Sequence, residues 1–156
     1  MEEIIIRKAL KSDLVKVVEL IADDQLGATR EQIGSPLALV YRQAFERMQH
    51  QKGNDIYVAQ LNGAIIGCMQ LTLIAGLSRK GMTRLQIETV RVAKNMRSKG
   101  IGKQMMKFAI DFAKSSGCGL VQLTTDISRA DAHRFYDRLG FTASHHGMKL
   151  DLLRKG

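Results

Sequence analysis

The sequence has little cysteine, no long apolar run and few aromatic residues, and each scarcity narrows the class of protein. Its two cysteines, Cys68 and Cys118, are 50 residues apart and do not form a closely spaced pair, which argues against a disulfide scaffold or a zinc site. So few cysteines favour a location in the reducing cytoplasm. The longest apolar run near the middle of the chain, residues 64–69, is far shorter than the roughly 20 residues of a membrane helix. The acidic start at Met1, Glu2 and Glu3 predicts no export signal.

The residues that are present predict one soluble globular domain over residues 1–156. Hydrophobic residues make up 45% of the chain and charged residues 25%, as in ordinary soluble proteins. The net charge of +9 is distributed unevenly, since residues 1–74 sum to −1 and residues 75–156 sum to +10. This asymmetry predicts a polyanionic partner, which is either a nucleic acid or a phosphorylated small molecule.

Hydrophobic periodicity and turn signals predict an α/β fold in which helices flank a mixed central sheet. The predicted strands cover residues 3–7, 55–61, 64–75, 83–93, 120–125 and 141–150. The predicted helices cover residues 12–24, with Ser12 as the N-cap, and residues 36–52, 99–116 and 130–139. Asn62-Gly63 between the second and third strands is a strong hairpin signal. The predicted order is β-α-α-β-β-β-α-β-α-β.

A glycine-containing turn precedes the third predicted helix, where Gly100 and Gly102 follow a strand. A helix N-terminus has unpaired backbone amides and partial positive charge, and glycines let an anion approach those amides. Lys99 and Lys103 add positive charge. The alternative is a plain tight turn in which the glycines serve only the backbone geometry. The turn matches neither a P-loop nor a dinucleotide fingerprint, because Gln104 and Met105 stand where those motifs need other residues.

The strand before this turn contains a fault in its apolar alternation. Its apolar residues switch from odd to even positions between the pair Leu85, Ile87 and the pair Val90, Val92. One extra residue near Glu88 would return all four to one face, and such a β-bulge is common beside active sites. The alternative is a strand that is buried on both faces.

Two side chains are candidates for proton transfer. Glu88 lies at the fault and is either a general base or an ion-pair partner of Arg84 or Arg91. Tyr136 lies at the edge of the apolar stripe of the last predicted helix. Its ring packs there, and its hydroxyl either completes that packing or reaches a cleft.

Three segments in register resemble the GNAT superfamily of acyl-CoA-dependent N-acetyltransferases. They are the strand 88–92, the turn 97–102 and the block 135–141, and the resemblance is strong over residues 84–141. It implies a single N-acetyltransferase domain that moves an acetyl group from acetyl-CoA to an amine by direct transfer in a ternary complex. The implied acceptor is a small molecule or a peptide.

The resemblance also implies roles for individual residues. Glu88 matches a base that often acts through water, and Tyr136 matches the acid that protonates the departing thiolate. The implied CoA contacts on the strand are Val90, Arg91 and Val92, of which the Val90 N–H would also polarise the thioester carbonyl. Those at the turn are Arg97, Ser98, Lys99, Gly100, Ile101, Gly102 and Lys103.

Two departures from the family pattern concern the expected cofactor contacts. Ser98 stands where a glycine is common, and the stretch 128–131 lacks the asparagine that many members place before the last helix. Arg129 in that stretch is assigned to a cofactor phosphate instead.

The remaining expectations concern the acceptor and the partners. Asp23, Asp24 and Glu31 are hypothesised to attract a cationic amine, with a solvated helix end as the alternative. No metal is expected, since His145 and His146 are adjacent on a predicted strand and face opposite ways. We expect no membrane contact, and a homodimer is compatible with the sequence. Two other functions remain open, a basic nucleic-acid-binding module, which the paucity of aromatic residues disfavours, and a non-catalytic CoA sensor.

Overall fold

A computed structural model describes residues 2–24 and 26–154, which fall into two compact units that meet between Gln122 and Leu123. Met1, considered above for an export signal, lies outside the described residues. The strands are β1 (Ile5–Lys8), β2 (Asn54–Leu61), β3 (Ala64–Ile74), β4 (Arg84–Val92) and β5 (Leu120–Leu123). The main helices are α1 (Leu14–Ala22), α2 (Leu39–His50), α3 (Ile101–Ser115) and α4 (Ala130–Arg138). The chain order is therefore β1-α1-α2-β2-β3-β4-α3-β5-α4.

The five strands form one sheet in the order β1-β2-β3-β4-β5. The first four run antiparallel to their neighbours, and β5 joins β4 through the helical crossover α3, which makes the sheet mixed. The predicted hairpin between β2 and β3 is confirmed. Asn62 and Gly63 both have positive φ, 49° and 81°, as the favoured two-residue hairpin turn requires.

One face of the sheet packs against α3. Tyr57 of β2 shares this face with its partner Met69 of β3, and its ring centroid lies 5.3 Å from Phe108 and 5.8 Å from Phe112. Gly67 allows close packing here, because a Cβ at this position would lie 2.9 Å from the Sδ atom of Met105. The largest fully buried side chains on this face of β3, β4 and α3 are Met69, Leu71, Leu85, Ile87, Met105 and Met106.

The opposite face of β2 and β3 packs against α1 and α2. Ile56, Val58 and Cys68 alternate with the residues of the first face and are buried. They form one apolar cluster with side chains from both helices, namely Leu14, Val17, Val18, Leu20 and Phe45. The sheet therefore packs against an apolar layer on each of its two faces, and polar side chains occupy only limited parts of those faces.

The predicted N-cap at Ser12 is wrong, because a short 3-10 turn at Lys11–Asp13 precedes α1. Asp13 takes over the stabilising role and is 9% exposed. Its carboxylate accepts hydrogen bonds from Arg7 Nη1 at 2.7 Å, Arg7 Nη2 at 3.2 Å and the Leu10 N–H at 2.7 Å. The Arg7 hydrogen bonds hold the pKa of Asp13 below its usual range.

Asp13→Asn is expected to lower the free energy of unfolding by about 2 kcal/mol at neutral pH, because it removes the charge from these hydrogen bonds. The pKa of Asp13 is lower in the folded state, so its stabilisation is present above the unfolded value of about 3.9 and is lost as pH falls through the folded pKa. Urea unfolding at several pH values measures this difference. Asp111→Asn, which breaks the exposed pair with Lys107, is the control and should have a much smaller effect.

The second unit, from residue 123 onward, contains α4 and a C-terminal segment that is neither helix nor strand over residues 141–154. The predicted strand at 141–150 is wrong, since no strand is described between Gly140 and Arg154. A strand needs a neighbour for its backbone hydrogen bonds, and the backbone bonds described in this segment are local ones, from the Phe141 N–H to the Tyr136 carbonyl and from the Ser144 N–H to the Thr142 carbonyl. Within the described residues, no helix has the length and apolar content needed to span a membrane.

Candidate active site

The predicted β-bulge in β4 is confirmed. Glu88 faces Gln70 and Arg91 faces Cys68, so Thr89 and Val90 together stand opposite the single residue between those partners. Thr89 has a φ of 56°, which is a strained conformation for a β-branched residue. The bulge therefore brings Glu88 and Arg91 to the same face of the sheet, the face that carries α1 and α2.

The main chain of β4 beyond the bulge is already engaged by two arginines. Arg91 Nη1 donates to the Val90 carbonyl at 2.9 Å, and Arg97 Nε donates to the Val92 carbonyl at 3.1 Å. A carbonyl oxygen has two lone pairs, so each of these groups retains one acceptor position. Two neighbouring guanidinium groups therefore hydrogen-bond to the main chain of the strand segment that the resemblance assigns to CoA.

The same two arginines bind the acids that follow α1. Arg91 Nη2 lies 3.1 Å from Asp24 Oδ2, and Arg97 Nη2 lies 3.7 Å from Asp23 Oδ2 and 3.1 Å from the Asp23 carbonyl oxygen. Glu31, the third acid of the hypothesis, accepts a hydrogen bond from the Tyr41 hydroxyl at 2.7 Å. These contacts favour a structural role, in which the acids hold the segment after α1 against β4 and the turn.

The turn before α3 presents unpaired backbone amides. Ser98 and Gly100 have positive φ values of 62° and 80°, and no side chain caps the helix. The first hydrogen bond of the helix runs from the Gln104 N–H to the Gly100 carbonyl, so the amides of Ile101, Gly102 and Lys103 have no intrahelical acceptor. Arg97, Lys99 and Lys103 are exposed around them. These features fit an anion such as a pyrophosphate.

Glu88 is exposed and makes no ion pair with any residue in the described part of the chain. The alternative of a pair with Arg91 is removed, because that guanidinium binds Asp24. A carboxylate with open lone pairs on a sheet surface is able to accept a proton from a ligand or from water.

Tyr136 and Arg129 both belong to the second unit. The Tyr136 ring lies between two others, with centroids 5.1 Å from Phe135 and 5.8 Å from Phe141, and the residue is half-buried. Arg129 is the residue that precedes α4. The prediction that the Tyr136 ring packs is therefore confirmed, while the catalytic role of its hydroxyl stays a prediction.

The thiols are poorly suited to act as nucleophiles. Burial raises the pKa of Cys68 to about 12, and burial also raises the pKa of Cys118. A thiol that stays protonated is a weak nucleophile, so these environments do not favour a covalent intermediate in which a cysteine carries the acyl group. No cluster of three or more histidine, cysteine or acidic side chains within residues 2–24 and 26–154 is arranged to hold a metal ion.

A group of polar side chains that the sequence did not predict as part of the site lies beside Glu88. Asn54, Gln70 and Thr72 lie on the same face as Glu88 and are linked by hydrogen bonds of 2.8 and 2.9 Å to the Asn54 Oδ1 atom. Gln122 Nε2 donates to Gln86 Oε1 at 2.7 Å on the neighbouring strands. The alternation of Gln70 and Thr72 with apolar residues was the available signal, but it did not show what these residues face.

The chain resembles known acetyltransferases over most of its length. A model of the acetyltransferase (GNAT) family matches residues 17–141. The aminoalkylphosphonate N-acetyltransferase of Salmonella typhimurium is 30% identical over 147 residues, covering 86% of this chain and 92% of that protein. The glucosamine 6-phosphate N-acetyltransferase of Trypanosoma brucei brucei is 31% identical over 144 residues and covers 91% of each chain.

Among solved structures, a protein of Bacillus halodurans C-125 described as a transcriptional regulator superposes with a TM-score of 0.93. It is 43% identical and covers 96% of this chain and 100% of that one. The family match includes the bulged strand and the glycine-containing turn, and the two curated relatives match 86% and 91% of this chain. The protein therefore belongs to the acetyltransferase (GNAT) family and is an acyl-CoA-dependent N-acetyltransferase.

Proposed function

We propose that the protein transfers the acetyl group of acetyl-CoA directly to an amine while both substrates are bound. The observation that carries this proposal is the placement of the bulged strand β4, with its open carboxylate, immediately before the uncapped N-terminus of α3. These two features offer an anion site and a proton acceptor on one continuous stretch of chain. Residues 1–156 then act as one N-acetyltransferase domain.

The turn and the strand are proposed to hold the two ends of the CoA chain. Bound acetyl-CoA supplies an activated acetyl thioester. The backbone amides from Ser98 to Lys103 bind the pyrophosphate, with Arg97, Lys99 and Lys103 contributing positive charge. The main-chain groups of Val90, Arg91 and Val92 pair with the pantetheine arm, and the Val90 N–H polarises the thioester carbonyl. Arg129 binds a further phosphate.

Glu88 is proposed as the general base. A primary amine with a pKa of about 10.4 is mostly protonated at pH 7 and cannot attack until it loses a proton. Glu88 accepts that proton directly or through one water molecule. Tyr136 returns a proton to the CoA thiolate, which needs little help because a thiol has a pKa of about 8.5.

The acceptor is proposed to be a small amine that also carries an acidic group. The named substrates of the two curated relatives, an aminoalkylphosphonate and glucosamine 6-phosphate, share this combination of an amine and a phosphorus oxyanion. The excess positive charge of residues 75–156 also favours anionic ligands.

The test is a thermal-shift titration with acetyl-CoA, followed by a thiol-release assay over a panel of amines. A ligand that binds only the folded state raises Tm, by the equivalent of about 2.7 kcal/mol at one hundred times its Kd. We expect stabilisation by acetyl-CoA and release of CoA that depends on the amine. Absence of stabilisation by acetyl-CoA would contradict the proposed function.

A second candidate is binding to nucleic acid, which the description of the Bacillus halodurans protein as a transcriptional regulator favours. The net charge of +10 over residues 75–156 is the feature of this chain that would support it. An electrophoretic mobility shift with duplex DNA at several salt concentrations, with and without acetyl-CoA, distinguishes the two. Tight, salt-dependent binding that CoA does not displace would favour the second candidate.

A further inference from the structure

A polar strip crosses four strands of the sheet on the face that carries α1 and α2. We use this name for Asn54 of β2, Gln70 and Thr72 of β3, Gln86 of β4 and Gln122 of β5. Cross-strand register places Thr72 opposite both Asn54 and Gln86, and Gln70 opposite Glu88. Directly opposed residues in antiparallel strands share a face, so the strip is contiguous with Glu88.

The strip differs sharply from the rest of the same face. Ile56, Val58 and Cys68 continue along β2 and β3 and are buried in the cluster with α1 and α2. A sheet position beneath a helix is apolar because burying an unpaired polar group is costly. In the strip, Asn54 is 8% exposed, and the other members are half-buried.

Hydrogen bonds within the strip hold some of its polar atoms and leave others available. Asn54 Oδ1 accepts from Gln70 Nε2 at 2.8 Å and from Thr72 Oγ1 at 2.9 Å, and Gln86 Oε1 accepts from Gln122 Nε2 at 2.7 Å. Each amide side chain has one acceptor oxygen and a donor group. The Gln70 oxygen and the Gln86 NH₂ group are therefore oriented without being consumed by these bonds.

The strand β4 carries opposite charges on either side of this strip. Every second residue of this part of β4 lies on one face, and these residues are Arg84, Gln86 and Glu88. Their partners on β3 are Ile74, Thr72 and Gln70. At about 3.3 Å per residue, the Cα atoms of Arg84 and Glu88 are about 13 Å apart. Neither side chain makes an ion pair with another described residue. The face therefore presents a cation, a neutral amide and a carboxylate in a line.

We propose that this surface is the acceptor site and that Arg84 binds the oxyanion group of the acceptor while the amine lies at Glu88. The inference rests on the proposed function and names the residue that selects the substrate class. Arg84 suits this role because a guanidinium offers a planar fork of donors to a phosphonate, phosphate or carboxylate. Gln70 and Gln86 bind polar groups between the two ends. The distance of about 13 Å between the Cα atoms of Arg84 and Glu88 leaves room for both long side chains and for a short acceptor that carries an amine and an acidic group.

The experiment compares two pairs of acceptors that differ only in the acidic group. The probes are 2-aminoethylphosphonate against ethanolamine, and glucosamine 6-phosphate against glucosamine. We expect the wild-type protein to have the higher kcat/KM for the acidic member of at least one pair. Arg84→Gln should raise KM for that acidic acceptor about ten- to hundredfold, the range that one hydrogen bond to a charged group provides. Its KM for acetyl-CoA and for the neutral member should be unchanged.

Two further variants separate recognition from general effects of charge or folding. Lys114→Gln removes an exposed cation from α3, which covers the other face of the sheet, and should leave the KM for every acceptor unchanged. Arg84→Lys keeps the charge without the fork and should recover part of the affinity. Thermal shift confirms that each variant folds and binds acetyl-CoA.

Two outcomes would overturn the inference while leaving the proposed function intact. One is turnover of neutral amines at least as efficient as that of their acidic counterparts. The other is an unchanged KM for the acidic acceptor in Arg84→Gln. Loss of acetyl-CoA binding or of all turnover in the wild-type protein would instead contradict the proposed function, so the two failures are distinguishable.

Discussion

Glu88→Gln is expected to lower kcat/KM for the amine about 10²- to 10⁴-fold at pH 7. The amide keeps the size of the carboxylate but cannot accept the proton that blocks attack by the amine. Since Glu88 is exposed and unpaired among the described residues, the substitution leaves no buried group without a partner. The stability of the fold and the affinity for acetyl-CoA should therefore be unchanged.

The pH dependence of this variant provides a sharper test than the rate at one pH. A free amine loses its own proton as pH approaches about 10.4, so the need for a base declines. The ratio of wild-type to variant kcat/KM should fall steadily between pH 7 and pH 9.5, as measured by CoA release. Glu46→Gln, an exposed substitution of the same kind on α2, is the matched control. Full turnover by Glu88→Gln at pH 7 would remove Glu88 from the mechanism.

Gly102→Glu is expected to stabilise the free protein while weakening acetyl-CoA binding at least about 100-fold. Gly102 lies in the first turn of α3, which contains no acidic residue. A better helix former with negative charge at this end should raise the free energy of unfolding by about 0.5–1 kcal/mol. The same carboxylate stands where the pyrophosphate is proposed to bind, and juxtaposed like charges cost several kcal/mol.

The opposite signs of these two effects make the prediction difficult to satisfy by accident. Thermal unfolding without ligand should give a Tm higher by about 2 °C, and isothermal titration should give the loss in affinity. Gly102→Gln has nearly the same shape without the charge. It should lose less affinity, and the difference between the two variants isolates the electrostatic part. Equal affinity of Gly102→Glu and wild type would place the pyrophosphate elsewhere.

Local patterns in the sequence were sufficient to predict most of the secondary structure of the first unit. The hairpin at Asn62 and Gly63 was predictable because few residue pairs adopt two successive positive φ angles. The bulge at Thr89 was predictable because strand side chains alternate with a period of two, so a switch of face requires an extra residue. Both features depend on neighbours in sequence and little else.

Predictions that depended on distant partners were less successful. Serine is a favoured N-cap residue, which is why Ser12 was predicted to begin the helix. Asp13 stabilises the start of the helix instead, because it binds Arg7 of β1 and the Leu10 N–H. Asp23 and Asp24 suggested a site for a cationic amine, whereas Arg97 and Arg91 bind them in the structure. The apolar alternation near the C-terminus predicted a strand, which forms only where a second strand pairs with it.

The order of the elements as far as α4, the apolar residues on both faces of the sheet, the glycine turn and the bulge follow from the sequence alone, because propensity and periodicity act over a few residues. What each polar side chain faces depends on the tertiary structure. It showed that Arg91 is engaged, that Arg84 and Glu88 are not paired within the described residues, and that a polar strip lies between them. Those relations arise from strand pairing and from an ion pair between residues that are 10 to 67 positions apart in sequence, which no local pattern encodes.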